Sequence, residues 1–486
     1  MLSAALLFLG AARAEAANTL QVAPAGTDIG NCVGAACKTI QYAVGQAATE
    51  DTIEVAAGNY AEQVTITVPG LTIAGNPAGG TTVGPEGTGV VSATEFTLED
   101  GVDGVTLRDL KVVSRSQDKP AILVEGPGAI DDLTLDGVSL IGIGPSTPPT
   151  TAGDGLDVNA PGSGLKIVDS LVEGHYLGVA VWSDLEDVTV ASSNFDGNRV
   201  GFNVQRSGPL TPASPGEIKG LEMSDSGFDT NEYVGLYFEG LSEATLEGIL
   251  VTDTGVGMPS IPNGARALVL NLKAGDAGDI AISDSDFTGS VQEGILVQAR
   301  GWSGDTAYEA APASLDSFSL TGSTVIGNGG PGVIVNNRST LGATEIHGNR
   351  IVDNGTAGYN ITAPVNGVFA RNEAPGAPTV DAAENWFACN EGPATAGCAN
   401  VNAPVEAPVW LVLTVGTAFE TLRPGQQTAV VAAIESSAGG DPVLPFPEGP
   451  ERSSAPASAA SNRRPNRCSP VSPPRTSRQG PLSGAA

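Results

Sequence analysis

Positive charge, aromatic side chains and histidine are all scarce in this chain of 486 residues: 23 Lys and Arg face 54 Asp and Glu, aromatics are 5%, and there are two histidines. The resulting net charge of −31 opposes contact with nucleic-acid phosphates. Two histidines and five cysteines are too few, and too scattered, for a zinc site. Long apolar runs are lacking as well. Beyond the first residues no segment approaches the roughly 18 apolar residues of a membrane span. Helical periodicity is confined to residues 40–48, so an α-helical domain is excluded.

What the chain has instead is glycine, 64 of them, and a repeated phrase. A large apolar residue, spacers that often include Asn, a Gly and an alternating apolar strand recur as FDGNRVGFNV from Phe195, FDTNEYVGLYF from Phe228, VIGNGGPGVIV from Val325 and IVDNGTAGYNI from Ile351. Looser copies start at Leu171 and Phe287. Repetition every few tens of residues marks a stacked architecture. The residues after each Gly alternate with strand period, as in Phe202 and Val204 or Leu236 and Phe238. A second short strand precedes each phrase, at Leu165, Asp187, Gly278 and Gly342. Such short strands fold only by pairing with their equivalents in neighbouring coils, about 4.8 Å away.

With this repeat the chain resembles the right-handed parallel β-helices of the pectate-lyase-like superfamily, over residues 18–408. CKTIQYAVGQAATEDTIEVAAGNYAEQVTI, from Cys37, is similar to the superfamily's entry motif, in which a short capping helix leads into strands ending GxYxE, here Gly58, Tyr60 and Glu62. The resemblance implies an all-β solenoid and leaves the chemistry open, because binders, lyases and hydrolases share the motif. It also implies a ladder of stacked turn Asn residues, with Asn198, Asn231, Asn328 and Asn354 as rungs.

The ends read differently. Residues 1–17 have an apolar core and small residues around Ala14 and Ala17, which predicts a signal peptide and a secreted or cell-surface protein. Cys32 with Cys37 and Cys389 with Cys398 form two local pairs, one at each end of the solenoid, and read as disulfides that pin the end coils. Residues 409–439 resemble the first hairpin of a bacterial immunoglobulin-like domain that is not completed. Residues 440–486 turn to Pro, Ser, Ala and Arg; they read either as a disordered basic tail or as an out-of-frame end.

The resemblance implies carbohydrate chemistry, and each enzyme class of the superfamily has its own signature. Pectinesterase segments beyond the entry motif are missing. Of the polygalacturonase motifs only fragments occur, Asp131-Asp132 and Gly174-His175-Tyr176. A calcium-dependent lyase uses carboxylates on adjacent coils and an Arg base, and Asp154, Asp157, Asp196 and Arg199, with Arg206, are the catalytic candidates. Calcium, which takes six to eight oxygens, is the one cofactor this reading admits. Turn chemistry and solubility explain the same acids.

Alignment of the strands on their pleat places two files outward. One holds Asp157, Ala180, Asn203, Tyr237, Leu296, Ile334 and Asn360. The second, Asn159, Trp182, Gln205, Glu239, Gln298, Asn336 and Thr362, is rich in amides with one indole, and is the candidate ligand-binding column; a glycan would lie along it. Arg206, Arg300 and Arg338 stand just beyond. The net charge favours a neutral glycan or one bridged by calcium. Three functions stay open: a surface or secreted β-helix contacting glycans, a polysaccharide lyase or hydrolase, and a passive stalk.

Overall fold

The computed structural model describes residues 17–447, apart from Thr88, 145–152, Pro209, 258–263, 302–305, Ala307, 357–363, 373–378, 418–427, Ala429, 440–441 and 443–445. Of the expected signal peptide only Ala17, and of the tail only 442 and 446–447, fall among the described residues.

The chain winds through three parallel sheets in turn. Sheet one runs from Thr19–Val22 to Val405–Glu406, sheet two from Gly58–Tyr60 to Arg350–Val352, and sheet three from Val64–Ile66 to Val368–Asn372. Each strand pairs with the equivalent strand of the next coil, as Val172 does with Phe195 and Phe202 with Leu236. Sheet one carries the strands expected from Leu165, Asp187, Gly278 and Gly342, and sheets two and three carry the two halves of the repeated phrase. Crossovers between parallel strands of one sheet are right-handed almost without exception, which sets the hand of the coil.

The apolar alternation fills the lumen. Leu156, Val179, Phe202, Leu236, Leu268, Ile295 and Val333 stack in one inward file, all fully buried. Phe195 lies on Phe228 with ring centroids 4.9 Å apart and planes 11° from parallel.

The corners explain much of the Asp and Asn content. From Thr106–Arg108 onward, where sheet one turns into sheet two, the first residue after the strand is left-handed: Asp109, Asp169, Asp225 and Asp284 have φ of 55°, 48°, 46° and 47°, Ser192 has 50°, and Gly137, Gly248, Gly322 and Gly348 take the place in other coils. Asp is among the few side chains that tolerate this conformation. At the next corner the expected Asn ladder is present. His175 N–H donates to Asn198 Oδ1 at 2.9 Å, Asn198 N–H to Asn231 Oδ1 at 3.0 Å, and Asn328 N–H to Asn354 Oδ1 at 3.1 Å. A second ladder, not anticipated from the sequence, runs up the other corner: Ser170 N–H donates to Ser193 Oγ, Ser285 N–H to Ser323 Oγ, and Ser323 N–H to Asn349 Oδ1.

Both ends are closed. Thr39 caps the helix Ile40–Val44, and Glu62 accepts the N–H groups of Ile40 and Gln41 at 2.9 Å, while Tyr60 donates to Ala56 O. The entry motif is therefore a cap, with its polar groups consumed. The Cys32–Cys37 disulfide holds a loop whose Cys32 O accepts Gln21 N–H and whose Cys37 N–H donates to Gln21 O. That loop covers the otherwise open edge of the first strand. At the far end Cys389–Cys398 closes a second loop, and Asn390 bonds both the N–H and the C=O of Leu413. There Leu411–Thr417 pairs antiparallel with Val430–Ser436.

Candidate functional site

The outward files on sheet three are where the structure departs most from the sequence reading. Register places Val269 between Tyr237 and Leu296, and Asn271 below Gln298, in a coil that carries Ala267 where other coils have Gly. The strand that follows Val333–Asn337 in this sheet is Val368–Asn372, so Phe369 and Arg371 pair with Ile334 and Asn336. Asn360 and Thr362 lie outside the described residues.

The files are not uniformly exposed. Leu177, Ala180, Val200, Val234, Val269, Leu296, Ile334 and Phe369 form a second apolar cluster outside the lumen, with Tyr176, Trp182, Tyr233 and Tyr237 along its margin. Glu239, Gln298 and Asn336, expected to face solvent, are 2%, 4% and 2% exposed. They bond to one another's neighbours instead. Asn336 donates to Gln298, Gln298 to Asn271, Asn271 to the Tyr237 hydroxyl, and that hydroxyl to Glu239 at 2.6 Å. Lys273 pairs with Glu239, and the Tyr308 ring lies 4.2 Å from the Arg300 guanidinium carbon. In this half the column is a buried hydrogen-bonded ladder, because buried polar groups persist only when paired. Arg206, 8% exposed, is held by Glu217 at 2.8 Å and by Ser214 O.

The column stays open to solvent at its other end, where Asn159 is exposed and Trp182 and Gln205 are half-buried. The Trp182 and Asn159 side chains stand beside the Asp157 carboxylate. Asp154, three residues earlier, accepts Leu177 N–H at 3.0 Å. Burial pushes the Asp154 carboxyl up to about 7, the charge of Asp157 adds to the rise, and the Leu177 N–H opposes it. Burial also raises Asp157, with the Asn159 and Trp182 side chains opposing the rise.

Beside this pair runs a file that sequence reasoning missed. Tyr176, Arg199 and Tyr233 occupy equivalent positions on three successive coils, linked by Val200 N–H to Tyr176 O and Tyr233 N–H to Arg199 O. The guanidinium carbon of Arg199 is 5.3 Å from the Tyr176 ring centroid and 5.6 Å from that of Tyr233. Cation–π contacts on both faces fix the side chain. The signal was present in the repeat, two residues before Gly, as HYLG, NRVG and EYVG.

Asp196 belongs elsewhere. It ends a sheet-two strand, accepts Asp229 N–H at 2.9 Å, and is raised to about 6 by burial, with the charges of Asp229 and Glu173 adding to the rise. The four catalytic candidates thus fall into three groups: Asp154 with Asp157, Asp196 with Asp229 and Glu173, and Arg199 with its tyrosines. Burial pushes His175 down to about 4, so it is neutral at ordinary pH, and its Nδ1 lies 3.2 Å from Gly153 O. Among the described residues three metal-ligating groups converge at Cys389, Glu391 and Cys398, where both sulfurs are already bonded to each other. No described helix is long and apolar enough to cross a membrane.

No family model matches the chain, and no curated protein matches it in sequence. Among solved structures it is similar to pectate lyase Pel9A, at 15% identity, TM-score 0.39, over 74% of this chain and 78% of that one. It is also similar to tailspike gp49 of Acinetobacter baumannii bacteriophage Fri1, a capsular polysaccharide depolymerase, at 11% identity, TM-score 0.40, over 86% and 79%. The DFA-IIIase of Arthrobacter chlorophenolicus A6 aligns at 12% identity, TM-score 0.40, over 74% and 87%. On the geometry of its own three in-register parallel sheets, the chain is a right-handed parallel β-helix.

Proposed function

We propose that this chain is an exported or cell-surface β-helix that contacts carbohydrate through the open end of the sheet-three column, at Asp157, Asn159, Trp182 and Gln205, with Tyr176, Arg199 and Tyr233 alongside. One observation carries the reading: a half-exposed indole beside a carboxylate, within one strip of amides and aromatics. Ring faces receive the apolar side of a sugar, and amides and carboxylates meet its hydroxyls. Two disulfides support export to an oxidising compartment.

A second reading, a polysaccharide-cleaving enzyme, is favoured by the Asp154–Asp157 pair. A carboxyl that titrates near neutrality beside a second carboxylate suits general acid–base work. Size-exclusion chromatography of the protein with neutral and charged polysaccharides, with and without calcium, separates the readings. Intact polysaccharide co-eluting with protein supports contact, shortened polysaccharide supports the enzyme, and no change with any glycan refutes both.

A further inference from the structure

Resting on the glycan reading, we infer that Arg199, clamped between Tyr176 and Tyr233, recognises an isolated oxyanion on the glycan, a carboxylate or a sulfate ester carried by an otherwise neutral chain. The coil builds the clamp. Tyr176, Arg199 and Tyr233 precede paired residues of three successive strands, about 4.8 Å apart. The guanidinium carbon lies 5.3 Å and 5.6 Å from the two ring centroids. Tyr233 is itself wedged in place, since a Cβ on Gly264 would come 2.0 Å from its ring carbon Cε2. The rings cover the two faces of the guanidinium and leave its rim of N–H donors.

The protein supplies that rim with no acceptor. Arg206, Arg266 and Lys273 are paired with Glu217, Glu293 and Glu239, whereas the Arg199 side chain makes no hydrogen bond or ion pair among the described residues. Glu232, beside Tyr233 in the chain, is buried and makes no ion pair with it. A half-buried guanidinium fixed by rings, with its donors unspent, is ready to give two parallel N–H bonds to an oxyanion. The surroundings admit one such charge. Glu173, Asp196 and Asp229 end the sheet-two strands that lead into Tyr176, Arg199 and Tyr233. A polyuronate would set its further charges against these acids and against the net charge of −31, while a solitary oxyanion meets the guanidinium without that repulsion.

The test uses the full chain and isothermal titration with lactose and its monosulfate, xylotetraose and xylotetraose bearing one glucuronate, and tetragalacturonate. In at least one pair the charged member should bind about tenfold tighter than its neutral partner, and tighter than tetragalacturonate. The pair that shows the preference tells sulfate from carboxylate. In Arg199→Lys, which keeps the charge and loses the fork, the preference should fall to about threefold or less, with circular dichroism unchanged. Phenylglyoxal treatment of the unmodified protein, read by peptide mass spectrometry, should show Arg199 protected by the preferred oligosaccharide, and this decides the residue even if the variant does not fold. Equal binding within both pairs, tighter binding of tetragalacturonate, or an unprotected Arg199 overturns the oxyanion inference and leaves the glycan reading standing. Binding of none of these oligomers also overturns it, and the glycan reading falls as well only if no polysaccharide in the chromatographic panel binds.

Discussion

Trp182 stands one coil on from Asp157, near enough for its side chain to oppose the rise that burial imposes on that carboxyl, and it presents a large, half-exposed aromatic face on a sheet otherwise lined by short polar groups. Neither residue is remarkable in sequence. Their pairing comes from the parallel register that sets Asp157 beside Ala180 and Val158 beside Val181. Trp182→Ala removes the ring face beside Asp157. Affinity for a bound oligosaccharide should fall about tenfold, the equivalent of about 1.4 kcal/mol. Titration calorimetry checks this, with thermal unfolding expected to change little because the indole is half-exposed.

Gln298 tests the buried half of the same column. It links Asn271 and Asn336, and truncation leaves both amides short of a partner. Gln298→Ala should lower stability by about 1–3 kcal/mol, the cost of unsatisfied buried polar groups. Glycan affinity should stay at the wild-type value. A loss of affinity without a loss of stability would return this residue to the binding surface.

The repeat made the coil legible, because strand alternation, Gly spacing and turn Asn residues are local and recur. The Asn ladder followed from position alone. The Ser ladder was missed because Ser170, Ser193, Ser226, Ser285 and Ser323 follow a turn whose first residue changes between Asp, Ser and Gly, so no fixed dipeptide marks it. The coil at Arg266–Leu272 was missed because Ala267 replaces the marker Gly. What lies over a strand face is set by distant segments, so the same alternation yields an open Asn159 and an enclosed Asn336. Pleat reasoning assigns a side chain to a face; it says nothing of what covers that face.

Asn198 is the ladder rung beneath the site. Its carbonyl accepts His175 N–H and its amide donates to Val172 O at 2.9 Å. Asn198→Ala leaves a buried N–H and a buried C=O unpaired next to Tyr176. Unfolding monitored by circular dichroism in denaturant should show a loss of about 1–3 kcal/mol. Asn198→Asp keeps the acceptor but sets a carboxylate oxygen against Val172 O at a fully buried position, and should cost more than Asn198→Ala at neutral pH.

Glu95 sets a pH dependence of stability. It is 1% exposed, and burial pushes its carboxyl up to about 8, with its own backbone N–H and the Ser114 hydroxyl opposing the rise. The folded state therefore holds a proton that the unfolded chain releases near its ordinary value of 4.5. Between those values the folded state binds more protons, so this group lowers stability progressively as pH rises from about 4.5 to about 8, and the effect levels off above. Glu95→Gln keeps the shape and removes the titration. The variant should gain on wild type across that window, and denaturant midpoints measured at several pH values should diverge; parallel profiles would contradict the assignment.

Carbohydrate contact at the open end of the column is the central claim, and hydroxyl-radical footprinting with mass spectrometry tests it most directly. With a bound oligosaccharide, oxidation should fall at Trp182, Tyr176 and Tyr233 and stay unchanged at Tyr308, which lies over the enclosed half. Protection confined to other surfaces, or no protection by any glycan in the panel, would contradict the account.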